Sequence, residues 1–275
     1  MRWLQFILSH SIFISICAAA LCLQTFELLH IPQNPLIYGL VFFATLSSYN
    51  SYWLISKYHF TEDSVDKFLL KNFSNVIIFL IAAAGLAYCL YFLPSVIPVV
   101  FAAILLTIIY SIPLWPVKQL AFIRKAGFLK TVLLAFTWTY VTVMIPIQHG
   151  LFIKTLPEVL LFLARFLFML MLCVIFDSRD INIDKIHSLR SLATDVSRKT
   201  LQWIMLIVFT LYLVTGFFLR YYFNDNAQVL AFLITGLVTF VVYRLSLKKQ
   251  DYFFYYFLVD GLMLFSALAT YVASI

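Results

Sequence analysis

Three aspartates follow a long apolar stretch of the chain at spacings of three and four residues. They are Asp177, Asp180 and Asp184. If the apolar stretch continues as a helix, this spacing places the three carboxylates on one face. Carboxylates crowded at the edge of hydrocarbon repel one another and are costly to desolvate, so they need a compensating cation. A divalent metal ion is the first candidate. The alternative is a solvated helix end neutralised by Arg179 and Lys185.

The stretch before these aspartates is one of nine apolar segments that predict membrane-spanning helices. The chain is 64% hydrophobic and 11% charged, with a mean hydropathy of +0.99, whereas soluble domains carry about 25% charged residues. The segments are long enough to cross a bilayer and lack the alternating polarity of barrel strands. The predicted spans are residues 3–28, 36–56, 71–93, 95–115, 128–148, 155–176, 200–222, 227–245 and 252–274. We therefore expect an all-α integral membrane protein in which residues 1–275 form a single transmembrane domain.

The basic residues are distributed asymmetrically about the predicted spans. Most of the 19 Lys and Arg residues lie in the loops on one side, and the loops on the other side hold Lys154 and Arg220. The positive-inside rule then places the N-terminus in the cytoplasm and the C-terminus on the opposite side of the membrane. We expect a multi-pass protein of a bacterial inner membrane. Because orientation accounts for the net charge of +7, nucleic-acid binding is not indicated.

A second segment strengthens the interpretation of the acidic one. It ends the fourth predicted span and reads Tyr110-Ser111-Ile112-Pro113-Leu114-Trp115-Pro116-Val117-Lys118. Together, the two segments resemble the UbiA superfamily of membrane prenyltransferases. In its naphthoate-prenylating branch, helix six ends in N-x-R-D-x-x-x-D, which is similar to Asp177-Ser178-Arg179-Asp180-x-x-x-Asp184, and Arg190-Ser191-Leu192-Ala193 falls where the family has Arg-Thr-Leu-Ala. The family also commonly shows Tyr-Ser-x-Pro followed five residues later by Lys.

The resemblance implies a fold, a reaction and a set of site residues. The fold is a UbiA-type bundle of nine transmembrane helices around a central cavity open to the cytoplasmic side. The reaction is the Mg²⁺-dependent transfer of an isoprenoid chain from a polyprenyl diphosphate to an aromatic or lipid acceptor. The implied residues are Asp177, Asp180 and Asp184 as metal ligands, Asp180, Asp184 and Lys118 in catalysis, and Lys118, Arg179, Arg190, Asn50 and Tyr110 at the diphosphate.

The chain departs from the family at the first aspartate motif, N-D-x-x-D-x-x-x-D, after the second span. Asn50 is retained, whereas Ser51, Leu54 and Tyr58 replace the three aspartates. Half of the acidic residues that the family places around the diphosphate are therefore missing. Losing an ion that neutralises the diphosphate would cost several kcal/mol of transition-state stabilisation.

Three explanations of this loss are open. One of Glu62, Asp63 and Asp66 takes over the role, although their spacing differs from that of the motif. Alternatively, a single metal ion suffices, or Lys57 replaces the lost ion. In the third explanation the protein no longer ionises diphosphates. The alternative function is then that of a UbiA-like protein that binds an isoprenoid or quinone lipid, or that acts as a membrane partner subunit.

Two further charges lie near the middle of predicted spans, Arg165 in the sixth and Asp260 in the ninth. Both are expensive in hydrocarbon. We expect them to pair and to join the ninth span to the sixth. The alternative is that Arg165 faces the cavity, but it precedes Asp177 by twelve residues. At the rise of an α-helix it lies about 18 Å deeper, too far to reach a diphosphate held at the acidic segment.

Overall fold

The described part of the chain is built from helices and turns. The computed structural model describes residues 2–59, 65–111, 127–148, 150, 152–186, 191–222 and 226–275, without the side chains of residues 2, 59, 110, 111 and 182–186. These ranges contain no β-strand. The helices are α1 (Arg2–Ser9), α2 (Ile12–Leu29), α3 (Pro35–His59), α4 (Val65–Lys71), α5 (Phe73–Phe92), α6 (Ile97–Ser111), α7 (Gly127–Thr139), α8 (Ile145–Ile147), α9 (Leu156–Ile186), α10 (Leu192–Asp195), α11 (Arg198–Leu219), α12 (Asn226–Ser246) and α13 (Asp260–Ala273). The π-helical segments Tyr140–Met144 and Phe254–Val259 lead directly into α8 and α13.

Seven helical segments are long and apolar enough to cross a membrane. They are Ile12–Leu29, Phe73–Phe92, Gly127–Ile147, Leu156–Ile181, Arg198–Leu219, Asn226–Ser246 and Phe254–Ala273. Each overlaps one of the predicted spans. The two other predicted spans correspond to α3, whose second half contains four Ser and three Tyr residues, and to α6, which ends at Ser111. The prediction of an all-α membrane protein is confirmed, whereas the count of nine spans and a cavity open to the cytoplasmic side stay predictions.

The first membrane helix begins later than the sequence predicts. α1 ends at Ser9 and α2 begins at Ile12, with Ser11 between them in the left-handed region at φ 62°. The carbonyl oxygen of Phe6 lies 2.9 Å from Nδ1 of the His10 ring and also accepts the His10 amide at 3.1 Å. The predicted span of residues 3–28 is therefore wrong at its start. The residues before Ser11 form a separate short helix that the hydropathy of the segment does not distinguish.

A proline shapes the packing of the fifth predicted span against α2. Pro146 has no amide hydrogen, so the carbonyl of Thr142, four residues earlier, cannot receive the usual helical hydrogen bond. The buried hydroxyl of Thr25 on α2 donates to this carbonyl at 2.8 Å. The interruption of the helix thus supplies an acceptor that joins it to a neighbouring helix, as freed backbone groups inside membranes require.

Thr25→Val is expected to lower the free energy of unfolding by about 1–3 kcal/mol, because it leaves the buried Thr142 carbonyl without its donor while it preserves side-chain volume. The measurement is thermal unfolding in detergent. Thr210→Val is the matched control, because the exposed Thr210 hydroxyl donates only to Leu206 of its own helix, at 2.9 Å. Equal melting temperatures for the two variants would contradict the role assigned to Thr25.

Close packing of α11 and α12 builds one wall of the bundle interior. Their glycines leave room for aromatic rings of the other helix: a Cβ added to Gly216 would lie 2.6 Å from the Phe232 ring, and one added to Gly236 would lie 2.7 Å from the Tyr212 ring. The rings of Tyr212 and Phe232 stack with centroids 4.3 Å apart. Small residues permit such close approach between membrane helices.

Candidate functional site

The predicted acidic face is carried by one continuous helix. α9 runs from Leu156 to Ile186 without interruption, so the helix continues past the apolar stretch as the sequence analysis expects. At 3.6 residues per turn, Asp177, Asp180 and Asp184 then occupy one face of its last three turns. The side chain of Asp184 is not among those described. The other two side chains are half-buried, and each has a partner within the protein.

Asp180 is paired with its neighbour in sequence, Arg179. Nε and Nη2 of the guanidinium donate to the two carboxylate oxygens, each at 2.7 Å. This is the bidentate geometry in which arginine binds carboxylates and phosphates most strongly. The side chains are 25% and 30% exposed. The sequence predicts a cation beside the acidic segment, and among the described residues that cation is Arg179.

Three aromatic rings surround the Arg179 guanidinium. Its central carbon lies 5.0 Å from the ring centroid of Phe176, 5.2 Å from that of Tyr255 and 5.0 Å from that of Tyr256. Such distances permit cation–π attraction. The two tyrosines belong to the π-helical segment Phe254–Val259, so a wide helical turn places both rings against the end of α9. The buried Nη1 atom of Arg179 has no hydrogen-bond acceptor among the described residues.

Asp177 is fixed from a different direction. The buried hydroxyl of Thr131 on α7 donates to Oδ2 of Asp177. The same hydroxyl oxygen accepts the backbone amide of Leu192 at 3.2 Å. Thr131 therefore joins α7, α9 and the start of α10 at the acidic end of α9. The part of the family-like segment that is described, Ser191 to Ala193, is buried at this junction.

Three residues with a place at this site were not identified from the sequence. Thr131 lies in the fifth predicted span, and Tyr255 and Tyr256 lie in the ninth. A signal for the tyrosines exists, because Tyr252, Tyr255 and Tyr256 repeat the spacing of three and four residues that marks one helix face. Thr131 carries no comparable signal, since a single hydroxyl in an apolar helix is usual.

The position of the lost first aspartate motif lies on α3, where the residues are used within the fold. Asn50 is buried and donates to the carbonyl oxygens of His10 at 3.1 Å and Leu46 at 2.9 Å. Ser51 donates to the Ser48 carbonyl of its own helix. The ring of Tyr58 packs on Phe68 with centroids 5.2 Å apart. Asn50 thus has structural partners, and its predicted contact with a diphosphate stays a prediction.

Lys57 on α3 also has partners. Its ammonium donates to Oδ1 of Asn72 at 2.7 Å and lies 4.2 Å from the centroid of the Trp53 ring. Its predicted role as a replacement for a lost ion stays a prediction.

Several predicted site residues lie outside what the structure describes. Lys118 and Arg190 are not among the described residues, and Tyr110 and Asp184 are placed by their backbones only. The acids Glu62 and Asp63 lie outside the described residues as well, whereas Asp66 lies in α4 and is exposed. The described residues hold no group of three or more His, Cys, Asp or Glu side chains placed to bind a metal ion. Asp177 and Asp180 have the carboxylate oxygens that Mg²⁺ prefers. Metal binding by the three aspartates stays a prediction.

The expected ion pair between Arg165 and Asp260 is wrong. Arg165 donates to Oε1 of Gln24 at 2.8 Å and to the Leu21 carbonyl at 3.2 Å, both on α2. Asp260, on α13, is buried as well, and the ion pair that Arg179 forms is with Asp180. α9 and α13 are nevertheless joined through Arg165, because Nε2 of the same Gln24 donates to Oγ of Ser266 on α13 at 2.9 Å. An amide on a third helix therefore replaces the direct pair.

Two solved structures share this fold over nearly the whole chain. The apo structure of a UbiA homolog from Aeropyrum pernix K1 is 15% identical, with a TM-score of 0.57 and coverage of 97% of both chains. A structure described as giving insights into the biosynthesis of digeranylgeranylglyceryl phosphate synthase in membranes is 14% identical, with a TM-score of 0.53 and coverage of 100% of this chain and 99% of that one. No protein-family profile and no curated protein sequence matches this chain. The UbiA-type fold that the two sequence segments imply is confirmed.

Proposed function

We propose that this protein is a membrane prenyltransferase that moves an isoprenoid chain from a polyprenyl diphosphate to an aromatic or lipid acceptor. One observation carries the proposal: a single unbroken helix brings Asp177 and Asp180 to one face, beside the arginine that can bind a diphosphate, in a chain with the UbiA-type fold. The fold alone does not assign an activity, because one fold hosts many functions. The acidic and basic side chains at the end of α9 supply the chemical argument.

The proposed reaction separates charge at the allylic carbon of the substrate. The bond between this carbon and the diphosphate oxygen breaks, and the electron pair leaves with the diphosphate. A nucleophilic carbon or oxygen of the acceptor then bonds to the allylic cation and gives up its proton. Arg179 donates to the leaving diphosphate in this proposal, while Lys118 and Arg190 add positive charge at the same end. Tyr255 and Tyr256 flank the guanidinium.

Magnesium fits the acidic face by the type of its donor atoms. Asp177, Asp180 and Asp184 would hold the ion, whose charge would stabilise the departing diphosphate. Asp180 is already neutralised by Arg179. Ligation by Asp180 therefore requires the guanidinium to turn from this carboxylate toward the phosphate oxygens. Without substrate, the ion pair lowers the cost of leaving Asp180 charged at the membrane edge.

A second function, lipid binding without chemistry, is favoured by the composition of α3. The family-like prenyltransferase site needs acids from two helices, and this chain has Ser51, Leu54 and Tyr58 where the first set is expected. Two of these side chains have partners inside the fold. A protein of this kind would hold an isoprenoid diphosphate or a quinone at the α9 end and release it unchanged.

Diphosphate release decides between the two functions. Purified protein is incubated with isoprenoid diphosphates of several chain lengths and Mg²⁺, and free diphosphate is measured. We expect release that falls by at least about a hundredfold in EDTA and returns when Mg²⁺ is added back, because removal of a charge at the leaving group costs several kcal/mol. Binding without release at every chain length would support the binding function. Release that persists in EDTA would contradict the proposed role of Mg²⁺.

A further inference from the structure

A small cavity lies in the interior of the bundle, where α2, α9, α11, α12 and α13 meet. Its volume is about 10 Å³, and its polar lining comes from Gln24, Arg165, Tyr212 and Ser266. Phe168 and Phe232 contribute aromatic walls. A cavity of this size holds about one water-sized particle, so it cannot take an isoprenoid or a phosphate group. It is separate from the acidic segment, because Arg165 precedes Asp177 by three turns of α9.

The guanidinium of Arg165 brings a full positive charge to this cavity. The side chain is 3% exposed. Its partners are the Leu21 carbonyl at 3.2 Å, Oε1 of Gln24 at 2.8 Å and, at the long distance of 3.5 Å, Oγ1 of Thr25. A guanidinium has five N–H donors. These contacts leave Nε–H and one N–H of Nη1 without an acceptor among the described residues.

The charge of Arg165 has no counter-ion within the described chain. All three partners are neutral, and the ion pair that the described residues form is the distant one between Arg179 and Asp180. An unpaired charge buried inside a membrane protein costs several kcal/mol, and polar hydrogen bonds recover only part of this cost. The cavity is therefore a place where negative charge would be stabilised.

A second donor points to the same kind of ligand. Ser266 lines the cavity, and its Oγ already accepts a hydrogen bond from Nε2 of Gln24 at 2.9 Å. Its hydroxyl hydrogen has no acceptor in the described part of the chain. Gln24 is held in this orientation, because its Nε2 also donates to Oγ1 of Thr270 at 2.8 Å. The phenol of Tyr212 is occupied by the Phe232 carbonyl at 3.2 Å. The unused groups around the cavity are thus hydrogen-bond donors.

We propose that this cavity is a binding site for a single monatomic anion of the size of chloride, held by Arg165 and Ser266. The geometry combines unused donors from two helices, a buried charge without a counter-ion and space for one small particle. A bound anion would neutralise Arg165 and draw α9 and α13 together around Gln24. The site does not depend on the proposed prenyl transfer, and its role is to stabilise the bundle interior.

Thermal unfolding of the whole protein in detergent, with bromide diffraction as a direct probe, tests this site. We expect the melting temperature to be about 5 °C higher in 0.15 M chloride than in gluconate of the same ionic strength, as ligand linkage predicts for a site that is mostly filled. We also expect an anomalous bromide peak in contact with the Arg165 guanidinium. Equal melting temperatures in the two salts together with no bromide peak would overturn the proposal and would indicate a water-filled cavity.

Substitutions distinguish anion binding in this cavity from effects of anions elsewhere on the protein. Arg165→Gln is expected to remove the difference between chloride and gluconate, and Ser266→Ala, which keeps the guanidinium, to reduce it by about half. Arg220→Gln is the matched control, because Arg220 is an exposed arginine at the end of α11. It should keep the full difference. If Arg165→Gln does not fold, the Ser266→Ala result decides. A chloride effect unchanged in Ser266→Ala would place the anion elsewhere.

Discussion

The Asp180→Asn variant is expected to release diphosphate at least about a hundredfold more slowly than the wild-type protein. The substitution keeps the shape of the side chain and removes the charge that is predicted to ligate Mg²⁺. Loss of one preorganised electrostatic interaction at a reacting centre costs about 2.7–4 kcal/mol, which corresponds to a rate about 100- to 1,000-fold lower. The measurement is initial-rate diphosphate release at saturating substrate and Mg²⁺.

Stability and charge controls distinguish this effect from damage to the fold. The side chains of Asp180 and Arg179 are 30% and 25% exposed, so solvent partly screens their ion pair, and Asp180→Asn is expected to lower the free energy of unfolding by about 1 kcal/mol. Asp195→Asn removes the same charge from an exposed position at the end of α10. It should retain wild-type release. Near wild-type turnover in Asp180→Asn would remove this carboxylate from the catalytic site.

The second large effect is expected from Arg179. Arg179→Ala should lower kcat/KM for the isoprenoid diphosphate by about a hundredfold, since a hydrogen bond to a charged group is worth about 1.5–3 kcal/mol. Arg179→Lys keeps the positive charge but loses the planar fork that binds phosphate oxygens in pairs. We expect Arg179→Lys to recover part of the loss, mainly through a lower KM than that of Arg179→Ala.

The difference in KM between Arg179→Ala and Arg179→Lys tests whether the guanidinium fork binds the substrate. Arg198→Ala is the control for the loss of an arginine, because Arg198 is exposed at the start of α11 on the side predicted to be cytoplasmic. It should leave KM unchanged. If Arg179→Lys and the wild-type protein have the same KM, the fork is not used on the substrate. Equal KM values for Arg179→Ala and the wild-type protein would leave Arg179 only its role as the counter-ion of Asp180.

The sequence predicts the helical parts of the site well, because helical periodicity is local. The spacing of Asp177, Asp180 and Asp184 fixes their common face once the helix continues, and α9 does continue to Ile186. Hydropathy likewise identifies each of the seven helical segments that are long and apolar enough to cross a membrane, since each is defined by its own residues. The two segments similar to the UbiA superfamily predict the fold that the solved structures share.

The start of the first span shows where this local information ends. Residues 3–28 are uniformly apolar enough to predict one helix, yet the backbone turns at Ser11. The turn depends on the His10 ring near the Phe6 carbonyl and on contacts with α3, where Asn50 donates to the His10 carbonyl. The contact between Asn50 and His10 involves residues that are far apart in sequence, so hydropathy does not predict it.

Taken by itself, the sequence determined that this chain is a helical membrane protein and how its charged residues are spaced along each helix, because rise per residue and period are properties of a single helix. The tertiary structure decided which groups meet. It packed Tyr255 and Tyr256 around Arg179, and it made Gln24 rather than Asp260 the hydrogen-bond partner of Arg165. The physical reason is that a partner depends on how helices are rotated and packed against one another, and this is set by contacts across the whole bundle rather than by spacing along one span.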